Sequence, residues 1–388
     1  MTAARVNKLE PEGAYHVLAR AQELERQGAD IIHLEIGEPD FQTPGRISSA
    51  GIEAIQADRT RYNPPRGITE LREAVAKDAG ARRGITIDPD EVIIAPGAKP
   101  ILFFPLLALL ESGDEVMYPD PGFPTYKSAI DVAGGVPVPI PLVEKNEFSF
   151  DLKVFDDLFS KKTKLIMLNS PANPTGGIMP TEDLEYIAKK AMDQECWILS
   201  DEIYSRIVYD GLEAPSIAAI PGMRERTIIL DGFSKTYSMT GWRLGYGIMP
   251  KSLADKIQLL LTHSIGCTAH FTQFAGLEAI TGDQSVVDEM VSEYEKRRDA
   301  VVKGLNNIPG IQCATPRGAF YAFPNVSALK MPVNELANRM LEEAGVALLP
   351  GTAFGPYGEG YLRLSYCNSL ESIAEALRRF GDFVGRLS

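Results

Sequence analysis

The segment RTIILDGFSKTYSMTGWRLGYGIM, residues 226–249, carries the reading of the whole chain. It opens on the apolar run RTIILD, passes through a turn of small residues that holds Lys235, meets Arg243 among glycines, and closes on the apolar run GYGIM. Short apolar runs bounded by glycine-rich turns read as buried strands. Outward from here the same texture fills the chain from Glu91 to Lys256. The runs VIIA at 92, EVMYP at 115, VPVPI at 136, KLIMLN at 164 and CWILSD at 196 join RTIILD at 226 and GYGIM at 245, which makes seven expected strands. Among the helical patterns between them, PTEDLEYIAKKAMD (180–193) has acids in its first turn, apolar Leu184, Ile187, Ala188 and Ala191 at helical spacing, and Thr181 as the expected N-cap. Strands alternating with helices predict an α/β fold, a mostly parallel seven-stranded sheet with helices on both faces.

Beyond about residue 281 the texture changes to longer amphipathic helices. Val333, Leu336, Ala337, Met340, Leu341 and Ala344 keep helical spacing until Gly345 ends the pattern. The chain is thus expected to divide into a large domain over 46–280 and a smaller α+β domain over 281–388, joined by the N-terminal segment 1–45. Within that segment PEGAYHVLARAQELERQGAD (11–30) predicts a helix, and IIHLEIGEPDF a strand running into a turn.

The 388 residues are 45% hydrophobic and 23% charged, with a formal charge of −13, an ordinary globular composition. So negative a surface argues against nucleic-acid partners and anionic membranes, both of which need a basic footprint. It leaves room for an anionic small ligand held by a few placed cations. The longest apolar stretch, Pro100 to Leu110, is about half the ~20 residues of a membrane helix and reads as a core helix. The first residues show no apolar secretory segment, so cytoplasmic residence is expected. Cys196, Cys267, Cys313 and Cys367 lie far apart, with neither a CxxC pair nor a metal-ligand cluster, and are expected as buried free thiols without a metal.

In open α/β sheets ligands bind at the carboxyl ends of strands. The first strand runs into APGAKP (95–100), whose small residues let backbone N–H groups at a helix start face an anion; a merely structural turn is the alternative. The fourth ends in NSPANPTGG (169–177), a rigid turn that frees the Asn173 carboxamide to donate. The fifth ends in SDEIY (200–204), where Asp201 leaves an apolar strand and, if buried and ionised, needs a cation. The sixth leads to Lys235 and Arg243. SKT resembles the tail of a phosphate-binding loop, but the upstream glycine of a GK pair is missing, so a nucleoside triphosphate site is not supported.

GFSKTYSMTGWRLG resembles, position by position, the pyridoxal-phosphate attachment pattern of class I and II aminotransferases, a family of PLP fold type I. Its companions stand in family order: GEPDF at 37, RYNPPRG at 61, PGAK at 96, PGFPTY at 121, NPTG at 173, SDEIY at 200 and YLRLSY at 361. The likeness covers about residues 35 to 366 and is nearest to the bacterial and archaeal aspartate/aromatic branch. It implies pyridoxal 5'-phosphate as cofactor, an amino acid and a 2-oxo acid (2-oxoglutarate or pyruvate) as substrates of a ping-pong transamination, and a homodimer with composite sites.

The resemblance also implies roles. Lys235 forms the internal Schiff base and moves protons; Asp201 faces the protonated pyridine nitrogen. A unit pair about 4 Å apart is worth roughly 4 kcal/mol at an effective dielectric near 20, enough to keep that nitrogen charged. Tyr204 and Asn173 meet the phenolic oxygen. Phe123 stacks on the ring, where the aspartate-specific branch usually has Trp. Arg243, the backbone of Ala98 and Lys99, the Ser234 hydroxyl and a partner subunit's tyrosine, matching Tyr62, hold the phosphate; the family often places that hydroxyl two residues earlier, at Gly232 here. Arg363 forks onto the substrate α-carboxylate, and the Gly37 backbone closes over it.

Substrate choice stays open between aspartate or glutamate, aromatic amino acids and alanine. Lys99 either meets a distal carboxylate or gives the phosphate only its N–H, while Phe123, with Tyr15 and Phe354 matched by approximate position, suits an aromatic or aliphatic side chain. A PLP-dependent carbon–sulfur β-lyase needs the same lysine and stays open as well. A non-catalytic PLP-binding regulator would need an added DNA-binding domain, for which the chain has neither length nor basic surface.

Overall fold

Alternate residues of each apolar run face opposite sides of one sheet, and both sides are buried. Ile93 and Ala95 join one apolar cluster and Val92 and Ile94 another; Leu165 and Met167 part from Ile166 and Leu168 in the same way. Strands covered on both faces need continuous apolar sequence, which is why these runs do not alternate with polar residues. The computed structural model describes residues 6–9 and 13–387.

In chain order the first strands are β1 (Ile32–His33), β2 (Val92–Ala95), β3 (Glu115–Asp120), β4 (Val136–Val143), β5 (Ser149–Phe150), β6 (Thr163–Asn169), β7 (Trp197–Asp201), β8 (Thr227–Gly232) and β9 (Gly245–Ile248). The main sheet has eight strands in the order β2-β9-β8-β7-β6-β3-β4-β5. All seven expected strands are in it. The eighth, β5, is a two-residue strand folded back antiparallel onto β4. From β8 through β4 all neighbours are parallel, and β9 runs antiparallel to both of its own.

Helices Lys99–Leu109, Thr125–Ala133 and Lys251–Ser264 pack on one face. Gly45–Gln56, Thr69–Arg83, His270–Thr281 and Thr181–Asp193 cover the other. The apolar stretch at 100–110 is thus a core helix, with Ile101, Leu102 and Leu106 buried. Thr181 begins its helix but does not cap it: Pro180, extended at φ −62° and ψ 151°, occupies the cap, and no side chain there bonds to the helix.

Toward the C-terminus, helices Ser285–Asn306, Val333–Ala344 and Leu370–Gly385 pack with β10 (Tyr321–Ala322), β11 (Val346–Ala347), β12 (Leu349–Pro350) and β13 (Leu362–Ser365). β13 lies between β10 and β12, antiparallel to both, and β1 pairs with β11. Gly345 ends the second helix at φ +67°, the left-handed cap its sequence predicts. The N-terminal helix spans Gly13–Arg26; Pro11 and Glu12 lie outside the described residues. Cys196 and Cys313 are buried, but Cys267 and Cys367 are only half-buried, which corrects the expectation of four buried thiols. Among the described residues no helix is long and apolar enough to cross a membrane.

Candidate active site

Because β3, β6, β7 and β8 are parallel, their carboxyl ends share one edge. The register sets Asn169 beside Asp201, and Gly245, the first residue of β9, beside both Gly232 and Ala95. The turns after VIIA, KLIMLN, CWILSD and RTIILD are therefore brought to one place.

Lys235 lies in the turn after β8, where its Nζ donates to the Gly37 carbonyl at 2.6 Å and sits 5.7 Å from the centre of the Phe320 ring. Burial lowers its amine to about 8, against the opposing pull of Cys367 and Glu38 and with help from Arg363 and Arg243. Gly37 approaches so closely that a Cβ would lie 2.2 Å from the Tyr321 hydroxyl.

Asp201 is buried at the end of β7. Its Oδ2 accepts from the Tyr126 hydroxyl at 2.7 Å and its Oδ1 from the Ile203 N–H at 3.2 Å. Burial pushes its carboxyl up to about 6 in spite of these donors, and among the described residues no cationic side chain pairs with it. The Tyr204 hydroxyl lies 2.7 Å from that of Tyr321. Burial drives Tyr204 well above the ordinary phenol range and Tyr321 up to about 12.

Arg363, on β13, is 3% exposed. Its guanidinium is held between two rings, 4.6 Å from the centre of Tyr321 and 5.0 Å from that of Phe354. Nη2 donates to the Glu35 carbonyl, and Nη1 makes a long 3.4 Å contact with Asn173 Oδ1. Its buried Nε has no hydrogen-bond partner among the described residues, a costly state for a charged donor.

On the far side, Gly97 (φ +85°) would put a Cβ 2.4 Å from Arg243 Nη2, and Gly245 would put one 2.6 Å from the Ala98 nitrogen. The missing side chains bring the Arg243 guanidinium against the start of helix Lys99–Leu109, a helix N-terminus of the kind that favours an anion. Ser234 is half-buried beside Lys235. The Lys99 Nζ lies 5.5 Å over the Phe123 ring.

One chain thus assembles Lys235, Gly37, Asn173, Arg363 and Phe354 through direct contacts, and ties Asp201 and Tyr204 to Tyr126 and Tyr321. Tyr62 is not joined to them: it is 96% exposed. Tyr15 is exposed as well, although Gly13, two residues before it, packs against Ala353. Tyr126, Tyr321, Phe320 and Glu35 are absent from the sequence expectations. Tyr126 alone had a signal, since it stands one helical turn after Phe123 in PGFPTY.

A model of the aminotransferase class I and II family matches residues 29–380. The chain belongs to this family. An aspartate aminotransferase of Pyrococcus horikoshii is 42% identical to it over 97% of this chain and 95% of that one. The aromatic-amino-acid aminotransferase 2 of Thermococcus litoralis is 41% identical over 90% of each chain. The structure of an alanine aminotransferase from Pyrococcus furiosus superimposes with a TM-score of 0.94 at 32% identity, over 100% of both chains. The protein is a pyridoxal-phosphate-dependent aminotransferase of PLP fold type I, acting on an amino acid and a 2-oxo acid. The reaction class is transamination.

Proposed function

We propose that Lys235, Asp201 and Tyr204 are the catalytic residues of this aminotransferase, and that one observation carries the assignment: a buried carboxylate without a cation, Asp201, shares a sheet edge with a lysine amine lowered to about 8. Pyridoxal phosphate, when bound, supplies an electron sink for the electrons released at the substrate Cα. Asp201 would hold the protonated ring nitrogen, the cation its burial demands. Lys235 moves the Cα proton on its Nζ, which burial keeps near neutrality.

Arg243, the Ser234 hydroxyl and the backbone N–H groups of Ala98 and Lys99 fit the phosphate, in a cradle that a Cβ at Gly97 or Gly245 would fill. Phe123 would cover the ring face, and Asn173 and Tyr204 would meet the phenolic oxygen. Arg363 holds the substrate α-carboxylate. Its unpartnered Nε and its Nη1, in long contact with Asn173, are the donors such a ligand completes, and the Gly37 backbone, close to the Tyr321 ring on which Arg363 lies, would close over it. The exposed Tyr62 suits a role across the interface of a homodimer. The division into a cofactor domain (46–280) and a smaller domain built from 1–45 and 281–388, and residence in the cytoplasm, which suits free cysteines, belong to the same proposal.

For the substrate side chain, the Lys99 ammonium over Phe123 supports a distal carboxylate, hence aspartate or glutamate, and relatives named for aspartate and for aromatic amino acids bracket the choice. Borohydride reduction of the loaded protein, which fixes the cofactor to the amine it is joined to, tests the site. Peptide mapping is expected to find the label on Lys235, and Lys235→Ala is expected to bind cofactor without turnover. A label on another lysine refutes the assignment.

A further inference from the structure

Asp120, the last residue of β3, is buried, yet among the described residues it meets no cation. Its Oδ1 accepts from the Tyr357 N–H at 3.2 Å, and its Oδ2 has no hydrogen-bond partner among the described residues. The carboxylate lies flat against Gly355, where a Cβ would come within 2.2 Å of Oδ1 and 2.4 Å of Oδ2. Gly355 has φ +127° and ψ 163°, a conformation essentially closed to other residues. Two residues after Asp120, the Gly122 N–H donates to the Phe354 carbonyl at 2.8 Å. The end of β3 therefore grips the segment Gly351–Gly358 at three successive places: Phe354, Gly355 and Tyr357.

That segment carries Phe354, one of the two rings between which the Arg363 guanidinium is held. The same stretch of chain that grips it continues into Phe123. We propose that Asp120 is a positioning residue for substrate: by clasping Gly355 and Tyr357 it holds Phe354 against Arg363 and so fixes the plane in which the guanidinium meets the substrate α-carboxylate. The inference rests on the assignment of Arg363 to that carboxylate. Because every amino acid and oxo acid presents the same group, the clasp acts on all substrates alike, unlike a residue that reads the side chain.

The test compares Asp120→Ala, Asp120→Asn and Gly355→Ala with the wild-type holoenzyme on aspartate, alanine, phenylalanine and 2-oxoglutarate. Asp120→Ala is expected to raise KM about tenfold for all four with kcat within about twofold, as loss of one positioning contact would. Gly355→Ala drives a methyl into the carboxylate and is expected to raise KM in the same uniform way. Asp120→Asn keeps an oxygen to accept from Tyr357 and is expected to restore KM to within about twofold. Cofactor affinity and the pH titration of the bound cofactor's absorbance are expected to be unchanged throughout. A lowered Tm with unchanged KM, a KM rise confined to one substrate, or an Asn variant as impaired as the Ala variant would overturn the clasp. Wild-type enzyme that no amino acid converts would overturn the Arg363 assignment and the clasp with it.

Discussion

Replacing Arg83 by Met cuts a buried ion network just behind the catalytic edge. Arg83, in the last turn of helix Thr69–Arg83, donates from Nε to Glu202 Oε2 at 2.7 Å and from Nη2 to Asp231 Oδ2 at 2.9 Å. The three side chains are 4%, 5% and 3% exposed, so solvent does little to screen the pairs. Glu202 follows Asp201, and Asp231 stands four residues before Lys235. Methionine keeps the apolar stem and removes every donor. Asp231 would retain Arg82 at 3.4 Å, the Tyr246 hydroxyl at 2.9 Å and the Gly232 N–H at 2.7 Å. Among the described residues Glu202 would retain only the Ser200 and Ser216 hydroxyls, at 2.8 and 2.6 Å.

The damage is therefore one buried carboxylate without a cation, not two, and the expected loss is about 3–5 kcal/mol. That is a large part of a typical stability of about 5–15 kcal/mol. Guanidinium unfolding of the apoprotein at one fixed concentration measures it, with cofactor and oligomer effects held constant. Acid supplies a second check. Burial pushes the Asp231 carboxyl up, but Arg82 and Arg83 outweigh it and hold it below the ordinary range. A carboxyl lowered on folding contributes stability that is present above its unfolded value, near about 4, and is lost as pH falls through its folded value. The difference between wild type and variant is thus full at pH 7 and narrows below about pH 4. A loss under about 1 kcal/mol at pH 7, or a difference that widens in acid, would refute this account.

Other perturbations probe the site itself. Tyr126→Phe removes the donor to Asp201 Oδ2 and is expected to weaken cofactor binding about tenfold in equilibrium titration, with the fold unchanged by circular dichroism; unaltered affinity would contradict the role given to that bond. With the Lys235 amine near 8, cofactor attachment to the apoprotein should speed up as pH rises, reach half its maximum near pH 8 and level off above it, because only the neutral amine is a nucleophile. A stopped-flow rate that falls over this range would count against it. Lys99→Ala should raise KM for aspartate and glutamate on the order of tenfold and leave alanine and phenylalanine nearly unchanged; equal effects would sink the acidic-substrate reading.

Strands and strand-end residues were legible because each signal is local: an apolar run buried on both faces, followed by a residue type that has no place in such a run. Asp201 stands out in this way, whereas Lys235 and Arg243, in the turn between β8 and β9, are singled out by the family resemblance. β5 left no trace, since two residues carry no period and its pairing comes from the chain folding back on β4. Tyr321 and Glu35 were invisible for another reason. Tyr321 reaches Arg363 because β10 pairs with β13, Tyr321 opposite Ser365, a register between distant segments that no local pattern records. Arg83 was hidden by its setting, for the last turn of a helix is where cations ordinarily face water. The exposed Tyr62 has no local reason to be near a phosphate; only the family resemblance singled it out.

The most direct test of the central claim is the half-reaction. Wild-type protein loaded with pyridoxal phosphate is mixed with each of about twenty amino acids, without any oxo acid, and followed by absorbance. Stoichiometric conversion of the bound cofactor to its amino form is expected, fastest with aspartate or glutamate, with reversal on adding 2-oxoglutarate. Steady release of pyruvate and ammonia without an acceptor, or no conversion by any amino acid, would contradict it.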